Sequence, residues 1–99
     1  LFTKHGNIQL AAMASHQLSI TYKETGAYDL ALKFGKKSIN VFETIDDPYG
    51  CAFGLRNLGD IHFKMGDKDQ AKSTWEQAKE IAGKLNHCIL TASIEDRLR

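Results

Sequence analysis

The sequence predicts an all-α protein, an α-solenoid of antiparallel helix pairs with about two and a half repeats and five helices. Three observations predict it. Apolar and small residues recur at three- and four-residue steps, the spacing of one helix face. Gly26, Gly66, Asp46-Asp47-Pro48 and Asn86-His87 cut that pattern into segments of similar length. The chain also matches itself when slid by forty residues. Gly26 then falls on Gly66, Leu18 on Leu58, Leu58 on Leu98, Tyr22 on His62, Ala31 on Ala71 and Ser38 on Ala78. Ala12, Ala52 and Ala92 coincide, and Phe2 falls on Phe42. Breakers and small residues agreeing at one offset mark an internal repeat. A helix–turn–helix unit of this length buries its apolar face only against neighbours.

Each element follows in order. Asn7 is placed to cap a first helix from about Ile8 to Thr25, with Ala11, Ala12, Leu18, Ser19 and Tyr22 inward. Gly26 ends it. A second helix runs from Tyr28 to about Ile45, with Leu30, Ala31, Phe34, Ser38, Val41 and Phe42 inward. Asp47 is an N-cap and Pro48 suits the first helical position, where no N–H is needed. The third helix runs to about Met65 and is stopped by Gly66. Asp67 and Gln70 form a capping box for a fourth, which reaches about Leu85. Asn86 or His87 caps a fifth, still helical at Arg99. The repeats span about 7–46, 47–86 and a partial 87–99, in one array over 1–99. A chain that begins at Leu1 and stops inside a helical pattern reads as part of a longer protein.

Composition narrows the function. A net charge of +1 offers no basic stripe to gather phosphates, so no nucleic-acid partner is expected. No apolar run is long enough to span a membrane. Cys51 and Cys88 have no ligand spacing and read as reduced thiols of a cytoplasmic protein. The four histidines are scattered, and His87-Cys88, about 100° apart on a helix, chelate poorly, so no metal or other cofactor is expected. Ser15 and His16 diverge for the same reason, and Asp46-Asp47 is better explained as a cap. No nucleophile meets a base, so no enzyme is expected.

The stretch from Asn57 to Ala78 carries a family resemblance. Leu55, Leu58-Gly59, His62, Gly66, Ala71, Trp75 and Ala78 resemble the tetratricopeptide repeat pattern of a large apolar residue, Leu-Gly, Tyr, Gly, Ala, an aromatic and Ala. The first repeat supplies Leu18, Tyr22, Gly26, Tyr28, Ala31 and Ser38. The forty-residue unit is similar to the longer variety found in kinesin light chain, Pins-like adaptors and bacterial regulators of the Rap and MalT types. There are departures. Ser19 replaces the motif glycine, His62 replaces the tyrosine, and Gly35 stands where Trp75 stands one repeat later. Glycine inside a helix costs about 0.5–1 kcal/mol relative to alanine, so Gly35 and Gly54 are expected to let the second and third helices pack closely.

The resemblance implies a right-handed solenoid whose first helices line a concave groove for a peptide or helix of a partner protein. The groove positions are Met13, His16, Gln17, Ile20, Lys23 and Glu24, then Phe53, Arg56, Asn57, Asp60, Phe63 and Lys64, then Ser93, Asp96 and Arg97. Asn57 is implied to pin a peptide main chain, since an amide both donates and accepts. Arg56 and Arg97 would fork onto ligand carboxylates. The chaperone-binding members hold a carboxylate at positions matched here by His16, Ile20, Asn57, Ser93 and Arg97. Only Asn57 and Arg97 agree, which disfavours a chaperone tail. Two alternatives stay open. The array could be the peptide- or small-molecule-sensing segment of a bacterial regulator, or it could self-associate through exposed ends.

Overall fold

The computed structural model describes residues 4–99, and side chains from residue 7 onward. The expected match of Phe2 to Phe42 lies outside the described residues. Among the described residues five helices follow one another: α1 Lys4–Thr25, α2 Tyr28–Thr44, α3 Pro48–Lys64, α4 Lys68–Lys84 and α5 Cys88–Leu98. Each packs on the next in sequence, and α1 also touches α3. No strand occurs among the described residues.

The punctuation is more regular than its residue types. Gly26 and Gly66 sit at φ 87°, and Asp46 and Asn86 at φ 57° and 55°. These four left-handed residues fall every twenty positions. At each turn the residue after the left-handed one bonds back five residues: Ala27 N–H to Tyr22, Asp47 to Phe42, Asp67 to His62 and His87 to Ala82, at 2.8–3.1 Å. This is the Schellman closure, which satisfies the last carbonyls of a helix. Glycine makes it inside each repeat. Between repeats Asp and Asn do, the non-glycine residues that best tolerate that conformation.

Capping is partly as expected. Asp47 accepts the Gly50 N–H, with Pro48 at the first helical position. Asp67 accepts the Gln70 N–H at 3.2 Å, but its own N–H goes to His62, so the box forms by half. His87 caps α5 by accepting the Leu90 N–H at 3.1 Å, while Asn86 makes the turn. Asn7 caps nothing, because α1 is already helical at Lys4.

The core lies within each helix pair and between that pair and the next helix. Ala52, Ala71, Trp75, Ala78, Ala82, Leu90 and Ile94 form one cluster. Phe42, Ala12 and Cys51 form another. Leu58, expected inward, is 9% exposed, whereas its counterpart Leu18 is 42% exposed and Leu30 is 41% exposed. The cause is position along the array. Leu58 leans on α2 of the preceding repeat, and Leu18 has no such repeat before it among the described residues.

The motif departures are a swap of volumes. A Cβ at Gly59 would overlap the Trp75 indole, so the missing side chain is the seat of the ring. One repeat earlier the same two positions hold Ser19 and Gly35. There a Cβ at Gly35 would lie 2.9 Å from the Ser19 hydroxyl oxygen. Small-plus-large in one repeat becomes polar-plus-nothing in the other. Gly54 faces Ile39 of α2, at 2.7 Å from the place of its absent Cβ. Gly35 and Gly54 thus both lie in close packing, but Gly35 is pressed by Ser19 of α1 before Leu58 and Ile61 of α3.

Candidate partner-binding face

Alternate helices α1, α3 and α5 lie side by side and are joined by polar side chains. Ser19 on α1 starts the network. Its hydroxyl donates to the Ala31 carbonyl at 2.7 Å and accepts from the Asn57 amide at 2.8 Å. The Asn57 oxygen accepts from Lys23 at 3.0 Å. Buried polar groups need such partners. Asn57 is only 4% exposed. The structure therefore turns its amide inward to tie α3 to α1, and does not present it to a peptide as the resemblance implied.

One helical turn along α3, Asp60 is the centre of the face. Its carboxylate accepts from Arg97 Nε at 2.6 Å and from the other end of that guanidinium at 3.2 Å, a two-pronged pairing across to α5. It also accepts the Trp75 indole N–H at 3.1 Å from α4. Lys23 of α1 stands 3.8 Å away. One carboxylate on α3 thus gathers α1, α4 and α5. Only 17% of its side-chain surface is exposed, so these contacts are poorly screened.

Arg56 and Arg97 both donate to the Ser93 hydroxyl, at 3.2 and 2.7 Å. Arg56 also lies over the Phe53 ring, 5.2 Å from its centroid. Burial lowers the proton affinity of Arg56, and the neighbouring Arg97 adds to it. Burial likewise lowers that of Lys23, with Asp60 opposing. An open cleft of about 700 Å³ is lined by Lys23, Asp60, Phe63, Lys64, Trp75, Arg97 and Arg99. Phe63 is 51% exposed at its edge and packs against Trp75 at 5.7 Å between ring centroids.

The remaining expected groove residues fall outside this cluster. Gln17 and Glu24 are exposed, and Ile20 is half-buried. Asp96 is exposed and pairs with Arg99 at 3.1 Å. Met13, His16 and Phe53 line a separate cleft of about 280 Å³ with Phe42 and Asp47. Sequence reading missed Ser19 as a tie between helices, although its replacement of the motif glycine was the visible signal. It also placed Trp75 only in the packing of the helix pair, not on Asp60.

His16 gives a pH dependence. Its Nδ1 is buried without a partner. Burial, then Arg56 and then Lys23 push the imidazole below its ordinary value. The unfolded chain therefore binds that proton more readily than the folded one. Stability is full above the ordinary histidine range and falls as pH drops through the folded value. Urea midpoints should be lower at about pH 5 than at about pH 8, and the gap should shrink in His16→Gln. An unchanged gap in that variant would assign the acid loss to other groups, His62 among them, which burial also lowers.

Among the described residues no helix is long and apolar enough to cross a membrane, and no three His, Cys, Asp or Glu side chains cluster as a metal site would need. No solved structure matches the chain. The Tonsoku-like protein of Bos taurus is 29% identical over 94 residues, which is 95% of this chain and 6% of that protein. The chain therefore spans a small part of the relative's length. The family profile described as tetratricopeptide repeat matches residues 9–84, from α1 through the end of α4. With five helices turning back every twenty residues, the chain belongs to the tetratricopeptide repeat family.

Proposed function

We propose that the face shared by α1, α3 and α5 docks a peptide or helix of a partner protein. Tetratricopeptide repeats are in general protein–protein interaction modules, and this chain carries a surface suited to that use. The observation that carries the reading is the open cleft beside Asp60. A half-exposed aromatic ring, Phe63, stands there next to cationic side chains already held in place by the fold. Fixed donors cost little ordering on binding, and an exposed aromatic supplies apolar contact. Cys51 and Cys88, which are not bonded to each other, suit the reducing cytoplasm.

The test is a selection of short random displayed peptides on the immobilised protein. Binders should lose about tenfold or more in affinity with Phe63→Ala, and change little with Lys72→Ala and Glu76→Ala on the other side of the array. Binders that respond only to the α4 variants would contradict the reading. Self-association is favoured by a different observation, the exposed Leu10, Leu18 and Leu30 at the first repeat. It predicts a solution mass above the 11.1 kDa of one chain, and a monomer at high concentration would exclude it.

A further inference from the structure

We propose that His87 is a pH-sensitive latch, which holds the start of α5 against the array while its imidazole is neutral and loosens it when the ring is protonated. The latch stands apart from the docking reading. A capping residue recurs every twenty positions, and α3, α4 and α5 have Asp47, Asp67 and His87 there. Asp47 and Asp67 accept the Gly50 and Gln70 N–H groups on a carboxylate oxygen, at 3.1 and 3.2 Å. His87 accepts the matching Leu90 N–H on Nδ1, at 3.1 Å. That bond puts the proton of the neutral ring on Nε2, since an accepting nitrogen must be bare. Carboxylates keep their charge until roughly pH 4, whereas imidazoles take up a second proton at roughly pH 6.5. Both nitrogens of the cation then donate. Of these three caps, His87 alone therefore fails in mildly acid solution.

Its surroundings do not compensate. Protonation would point one N–H at another and put a positive charge at a helix N-terminus, where the dipole disfavours it. The first turn of α5 has no acidic residue. From α3, the Tyr49 and Phe53 rings flank the imidazole, at 6.1 and 5.9 Å between centroids. Phe53 already carries the Arg56 guanidinium, 5.2 Å from its centroid. Asp47, at the start of α3, is engaged by the Gly50 N–H and by Gln9. On α4 the charges nearest the turn in sequence, Glu80 and Lys84, pair with each other. Among the described residues no carboxylate pairs with His87. The eleven residues of α5 are too few to hold a helix alone, so it depends on this cap and on buried Leu90 and Ile94. Since α5 brings Ser93 to Arg56 and Arg97 to Asp60, loosening it would also loosen that face.

Native-state hydrogen exchange on the isotope-labelled chain tests the latch, read as opening equilibria corrected for the intrinsic pH dependence of exchange. The Thr91 N–H donates to the His87 carbonyl, as those of Cys51 and Ala71 do to Asp47 and Asp67. From about pH 7 to about pH 5, opening at Leu90 and Thr91 should rise about fivefold relative to Cys51 and Ala71, the typical worth of a cap. His87→Asp should abolish that rise. His87→Ala should raise opening at both pH values and leave no difference between them. His16→Gln should leave the rise intact. An equal rise at all four amides would overturn the latch, as would a rise that persists in His87→Asp or vanishes in His16→Gln. Where a variant fails to fold, the nitrogen-15 spectrum of the His87 ring in the unaltered chain decides. A bare Nδ1 is expected at neutral pH, and a proton on Nδ1 there would overturn the latch.

Discussion

Trp75→Ala is expected to lower the free energy of unfolding by about 3–5 kcal/mol, the range for removing a large buried aromatic. Trp75 is 6% exposed and fills the space that Gly59 leaves open. The residue directly opposite, Gly59, has no side chain with which to refill it. The indole N–H also reaches both the Arg56 carbonyl, at 3.2 Å, and Asp60, at 3.1 Å. Trp75→Phe keeps most of the ring and drops these bonds, so it should cost less, about 1–2 kcal/mol beyond the lost volume. The measurement is urea unfolding followed by far-ultraviolet circular dichroism. Fluorescence will not serve, since Trp75 is the only tryptophan of the chain. A loss under about 1 kcal/mol for the alanine variant would mean that the α3–α4 contact does not depend on the ring.

Asp60→Ala should be the second large loss, about 2–4 kcal/mol. Breaking a buried pair by removing one partner costs about 3–5 kcal/mol, and partial solvent access reduces that here. Arg97 keeps 32% of its side-chain surface exposed and Lys23 keeps 14%. Without the carboxylate the two cations face each other, and the Trp75 N–H keeps only the Arg56 carbonyl. Asp60→Asn preserves shape and one acceptor while removing the charge. It should cost less than Asp60→Ala, and the difference separates packing from charge. Equal losses in the two variants would assign the role of Asp60 to charge alone. No loss in either would remove it from the centre of the face.

Much of the fold was legible because its signals are local. Helix faces, Pro48 after Asp47 and the forty-residue match need no knowledge of neighbours. The failures share a cause. Leu18 and Leu30 carry the same helical pattern as buried residues, but exposure depends on whether another repeat stacks on them. Asn7 resembles a cap, yet the chain before it is helical. The candidate face was legible as a set of positions and not as a set of roles. Lys23, Arg56, Asp60 and Arg97 do meet. Asn57 does not join them as a free amide, because Ser19 faces it thirty-eight residues away in the chain. A glycine at position 19, as the motif has, would leave that amide without its acceptor. The departure from the pattern and the inward turn of Asn57 are one structural fact.

On the proposed reading, the cluster that ties α1, α3 and α5 together is also where the partner lies. Backbone amide shifts in a two-dimensional nuclear magnetic resonance titration test it most directly, with the selected peptide added to the isotope-labelled chain. The largest changes should fall at Lys23, Arg56, Phe63, Ser93 and Arg97. Changes concentrated instead on the exposed side of α2 and α4, at Lys36, Lys72 and Glu76, would contradict it.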